Sequence, residues 1–84
     1  MDTCIITFRS VTPAQRGEKA LAEQGISCIL RRTPRRMQEQ GCGYSLQINC
    51  RDVPAATELM EHRNIAYRKL YRLQKGGAWE ELTL

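Results

Sequence analysis

The sequence predicts a single α+β domain of the ferredoxin-like class, a βαββαβ sandwich with a four-stranded antiparallel sheet and two helices on one face. Three observations carry that expectation. The chain has 84 residues, enough for one core and too few for two, since a domain needs about 50 residues or more. Tyr44 to Cys50 alternates apolar and polar residues without a break, which is the period of a half-buried strand. Two segments, Thr12 to Gly25 and Asp52 to Asn64, each open on a capping residue, carry apolar residues at helical spacing and end on a residue suited to positive φ.

Taken in order, Thr3 to Phe8 is β-branched and apolar and is closed by Arg9 and Ser10, so it forms strand one. Thr12 precedes Pro13, which sets a capping hydroxyl before a residue whose missing N–H has no intrahelical partner in a first turn. The helix that follows has a thin apolar face of Ala14, Gly17, Ala20 and Leu21, which suits close approach to a sheet. Gly25 stops it. Ile26 to Arg31 alternates again and forms strand two, with Ile26, Cys28 and Leu30 on one side. Strand three turns Tyr44, Leu46, Ile48 and Cys50 inward and Ser45, Gln47 and Asn49 to water. Helix two runs from Asp52 through Arg63 on a stripe of Val53, Ala56, Leu59 and Met60, with Asn64 as its left-handed terminator. Ile65 to Leu73 is strand four, with Tyr67 and Tyr71 on one face and a defect near Lys69 and Leu70 that a bulge or an edge position explains. The domain is expected to span residues 1–73. Residues 74–84 form a tail or a short closing element, and Trp79 argues for the second.

Composition narrows the function classes. Thirteen basic residues against nine acidic ones leave a charge of +4, which favours anionic partners. No apolar run approaches the ~20 residues that cross a bilayer, and no cationic leader with an apolar core opens the chain, so no membrane contact and a cytoplasmic location are expected. In that setting the four cysteines, at 4, 28, 42 and 50, are expected as reduced thiols rather than as a disulfide framework. They form no CxxC pair, so no metal centre is expected, and no cofactor motif is present. Cys4, Cys28 and Cys50 fall at inward strand positions, where a thiol acts as a small apolar group.

The chemistry concentrates in one connection. The link between strands two and three, Arg32 to Gly43, is far longer than a hairpin loop of about two to five residues. Arg31, Arg32, Arg35 and Arg36 lie in or beside it, and it ends with Cys42 between Gly41 and Gly43. The glycines leave the sulfur approachable and free successive N–H groups to turn towards an anion. Guanidinium groups nearby favour a thiolate, the nucleophilic form. Cys42 is thus the candidate nucleophile, with Arg35, Arg36, Gly41 and Gly43 as candidate stabilisers of an anionic product. The same residues read equally well as a tight turn entering strand three beside solvated arginines. The single histidine, His62, is placed at the end of helix two, facing solvent, and a thiolate needs no general base.

Phe8 closing strand one, the hydroxyl-bearing start of helix one, Thr33-Pro34-Arg35, and Cys42-Gly43 before strand three together resemble the selenium/sulfur carrier-like family, over roughly Cys4 to Leu73. The resemblance implies a cytoplasmic bacterial protein that accepts sulfur or selenium on Cys42 as a persulfide or perselenide. It implies a thiol-based carrier more than a turnover enzyme, partnered by a cysteine desulfurase or by a protein that accepts sulfur or selenium. The chain departs from the family pattern at Met37 to Gly41, where small polar residues are expected. An RNA-recognition module shares the element order, but strand one offers Ile5 and Ile6 and Cys42 stands where a ring would stack, so nucleic acid is set aside. A metal chaperone of this fold would carry paired cysteines at Ser10 to Pro13, and none is there. A noncatalytic small-molecule, protein or RNA-binding module of the same fold remains the alternative.

Overall fold

The computed structural model describes residues 2–33 and 43–82. In chain order these form β1 (Thr3–Phe8), α1 (Val11–Glu23), β2 (Ile29–Arg32), β3 (Tyr44–Asn49), a 3-10 turn (Cys50–Asp52), α2 (Val53–His62), β4 (Leu70–Leu73) and β5 (Trp79–Leu82). The strands make one antiparallel sheet in the order β2-β3-β1-β4-β5. The expectation of four strands is therefore corrected to five. Gly76 and Gly77, with φ of 91° and 89°, reverse the chain after β4, and Gln74 N–H donates to Ala78 O at 2.7 Å across the turn. Trp79 then packs on Ile5 and Tyr71. Arg72 and Lys69 pair across the strands with Glu80 and Glu81 at 2.8 and 3.4 Å.

Alternation along the strands decides which face takes the helices. Cys4, Ile6 and Phe8 of β1, Leu46 and Ile48 of β3 and Leu70 of β4 share one core with Ala14, Ala20 and Leu21 of α1 and Val53, Ala56 and Met60 of α2. Both helices thus cover one face. The opposite face carries the smaller cluster of Ile5, Tyr71 and Trp79. Ser45, expected to face water, is buried on this second face.

The thin apolar stripe of α1 has a steric reason. A Cβ built on Gly17 would lie 3.2 Å from both Leu46 Cδ1 and Met60 Cε, so the backbone itself approaches the sheet and α2. Gly17→Val is expected to destabilise the fold by about 1–3 kcal/mol through overpacking. An unshifted urea midpoint would show that this contact is not tight.

Both helices end alike. Gly25 (φ 76°) and Asn64 (φ 55°) take the left-handed conformation. Their N–H groups bond Ala22 O and Glu61 O, and the next N–H groups, of Ile26 and Ile65, reach back to Leu21 O and Met60 O at 2.9 Å. This is a Schellman closure with its apolar contact, and it uses Ile26. Strand two accordingly starts at Ile29 and not at Ile26. The helix starts differ from expectation. Ser10, extended at φ −147°, holds the N-cap position of α1 in place of Thr12, which leaves Pro13 inside the first turn. Asp52 precedes α2 without a side-chain cap; instead the Asn49 side chain accepts from Arg51 N–H at 3.0 Å and winds the 3-10 turn.

Of the two explanations for the defect near Lys69, a bulge or an edge position, the hydrogen bonds show the bulge. Thr7 O accepts from Arg68 N–H at 2.8 Å, while Thr7 N–H donates to Lys69 O at 2.9 Å, so two residues oppose one. The extra residue changes the side-chain parity. Tyr67 packs on the helix-side core and Tyr71 on the opposite face, which corrects the expectation that they share a face.

Candidate functional site

Pairing of β1 with β3 sets Cys4 opposite Ile48, and two residues on, at Cys50, the chain bends into the 3-10 turn. Cys50 N–H is held by Asp2 O at 3.0 Å. The two Cα atoms lie 5.0 Å apart, and the cysteines form a disulfide across 46 positions of sequence. That separation falls within the span a disulfide bridges, about 4.4–6.8 Å. The expectation of reduced thiols is overturned for this pair. Cys4 is fully buried as expected, whereas Cys28 and Cys50 are half-buried because each sits at a strand end.

Cys28 is the free cysteine among the described residues. Burial, and then the charge of Glu18, push its thiol pKa up, so the thiolate is disfavoured. The protonated thiol favours the fold at neutral pH, and this contribution is lost as pH climbs through the folded pKa. Cys28 also borders a cleft of about 460 Å³ with Ser27, Gln47 and Arg51, so a small reagent can reach it. Its alkylation by iodoacetamide is expected to be slower at neutral pH than in the unfolded chain, with the pH–rate profile displaced upward. Equal profiles in the folded and unfolded chain would contradict the raised pKa.

Of the candidate residues, Cys42, Arg35, Arg36 and Gly41 lie outside the described residues, and Gly43 lies within them. The junction that anchors their segment is well defined. Arg32 faces Tyr44 in the β2–β3 register, and one step further Thr33 N–H donates to Gly43 O at 3.0 Å. Thr33 is buried. The segment 34–42 therefore leaves and re-enters at two directly bonded positions of neighbouring strands. Among the described residues a Cβ at Gly43 would meet nothing within 4 Å.

Two exposed guanidinium groups stand at this root. Arg31 donates to Gln47 Oε1 at 2.9 Å, and Arg32 lies 5.5 Å over the Tyr44 ring. Neither meets a carboxylate among the described residues. His62 is exposed at the end of α2. No group of His, Cys, Asp or Glu among the described residues is arranged to hold a metal ion, and no described helix is long and apolar enough to cross a membrane. The pairing of Cys4 with Cys50 is what the sequence reading missed. Both cysteines fall at inward positions of strands one and three in the sequence, and the adjacency of those strands is the signal that points to the pair.

A family model described as "Putative Se/S carrier protein-like" matches residues 3–72. The match begins with β1 and stops within β4, so it spans the Thr33–Gly43 junction and the segment between, and leaves β5 outside. No curated protein and no solved structure matches the chain.

Proposed function

We infer the function from the family to which this chain belongs, the Se/S carrier-like family, and propose that the protein carries sulfur or selenium on Cys42. One observation supports that choice of residue most. Cys4 and Cys50 are bonded to each other and Cys28 is held towards its protonated form, which leaves Cys42 as the remaining candidate. In the proposed step the Cys42 thiolate attacks the outer sulfur of a donor persulfide. The donor S–S bond breaks, the donor leaves as a thiolate, and the transferred sulfur stays on Cys42 as a new persulfide, with no net oxidation. Selenium follows the same course as a perselenide. Arg35, Arg36 and the N–H groups of Gly41 and Gly43 are proposed to steady the anionic product, with Arg31 and Arg32 adding positive potential at the root of the segment.

The finer fold reading belongs here as well. We read α1, α2 and the first four strands as a ferredoxin-like core to which β5 is an addition. The proposed donor is a cysteine desulfurase and the proposed setting the bacterial cytoplasm. The Cys4–Cys50 bridge stands against that setting, because cytosolic reductants keep most cysteine pairs reduced. Loading of Cys42 requires neither state of the bridge.

Incubation with a cysteine desulfurase and cysteine, followed by intact mass, tests the function. A gain of ~32 Da per sulfur, mapped to the peptide containing Cys42, is expected. If the sulfur maps to Cys28, the assignment to Cys42 fails; if the protein stays unloaded while a control acceptor takes sulfur, the carrier reading itself fails. A noncatalytic binding module of the same fold is then the better account.

A further inference from the structure

Strand β2 ends the sheet: β3 lies on one side, and among the described residues no strand lies on the other. One hydrogen bond gives its orientation. Thr33 N–H points inward to Gly43 O, in the register that sets Arg31 opposite Ser45 and Ile29 opposite Gln47. Antiparallel strands alternate, so the N–H and C=O groups of Leu30 and Arg32 point outward along the free edge. The exposed side chains there are Ile29, at 55% the more exposed of the two large apolar residues that face solvent among the described ones, and the guanidiniums of Arg31 and Arg32. An edge of outward donors and acceptors, with an apolar and a doubly cationic flank, is a template for another strand.

The other side of the same sheet shows what chemistry such an edge accepts. β4 reads Leu-Tyr-Arg-Leu and follows Lys69; the strand paired to it, β5, reads Trp-Glu-Glu-Leu. Arg72–Glu80 and Lys69–Glu81 join the two strands. β2, Ile-Leu-Arg-Arg, repeats the apolar and basic character of β4, and among the described residues no strand takes the partner's place. We propose that the outer edge of β2 binds an acidic, extended segment of a partner protein, which adds to the sheet as a further strand. Main-chain bonds to Leu30 and Arg32 hold it, and carboxylates opposite Arg31 and Arg32 select it. A second copy of the chain fits less well. β2 against β2 sets arginine beside arginine, and the carboxylates of β5 are already engaged with Arg72 and Lys69. The inference needs no reaction at Cys42, but β2 runs directly into the 34–42 segment, so a partner held on this edge is held beside it.

The probe is a blocked peptide, acetyl-Thr-Val-Glu-Glu-Val-Thr-amide, titrated into the full-length protein labelled with nitrogen-15. Amide shifts centred on Ile29 to Arg32 are expected, with new protection from hydrogen exchange at Leu30 and Arg32. Replacing both glutamates of the peptide by glutamine, or Arg31→Glu together with Arg32→Glu in the protein, is expected to weaken binding about tenfold or more, from the loss of two cross-strand charge pairs. Cys42→Ser should bind the peptide as the unaltered chain does, so failure of sulfur loading and failure of strand addition are read separately. Shifts without new protection at Leu30 and Arg32 would reduce the edge to a charged patch and overturn the proposal. So would equal shifts from a single-stranded RNA of about ten nucleotides, the mark of a general polyanion site. Self-association without peptide, protecting the same amides, would give the edge to a second copy and likewise overturn it.

Discussion

Opening the Cys4–Cys50 bridge is expected to lower the free energy of unfolding by about 4 kcal/mol, the loop-closure value for a bridge across 46 positions. That is close to a thousandfold in the folding equilibrium, at about 1.4 kcal/mol for each factor of ten. A chain of this size has about 5–15 kcal/mol in total, so the loss is a large share of it. The bridge ties the start of β1 to the turn that launches α2, beside the hydrogen bond from Cys50 N–H to Asp2 O and the pairing of Thr3 with Asn49. Urea denaturation with and without a thiol reductant measures the effect, and Cys4→Ala with Cys50→Ala should reproduce it without reductant. Coincident curves with and without reductant would show that the bridge does not hold the fold.

Cys42→Ser is expected to abolish sulfur loading altogether. A serine hydroxyl is a weak nucleophile without a base, and the single histidine, His62, lies exposed at the end of α2. Cys28 is not expected to substitute, because its protonated form is favoured by burial, and Cys28→Ser should load as the unaltered chain does. Arg35→Ala is expected to slow loading by up to about tenfold, the worth of one charge contact of about 1.4 kcal/mol to an anionic product, while leaving thermal unfolding unchanged. Loading of Cys42→Ser at the normal rate would remove this residue from the proposed chemistry.

Much of the framework was legible before any coordinates because its rules are local. Gly25 and Asn64 announced two left-handed closures, the small residues around Gly17 announced a close approach, and the broken alternation near Lys69 announced a bulge or an edge position. What the bulge does to Tyr67 and Tyr71 was not legible, since one inserted residue changes the face of everything before it. The candidate site was legible only as composition: cysteine, arginines and glycines in one long connection, with its anchoring bond from Thr33 to Gly43 invisible until β2 and β3 were in register.

From the amino-acid sequence alone follow the α+β class, the two helices, four of the strands, though β4 starts at Leu70 and not at Ile65, and a resemblance that the family match over residues 3–72 bears out. Each of these rests on periodicity, capping or motif, properties of residues a few positions apart. Tertiary structure decided the fifth strand, the bonding of Cys4 to Cys50 and the edge position of β2 among the described strands. All three depend on which distant segments become neighbours. Register between strands is set by the packing of whole faces, and no single window of sequence contains both partners.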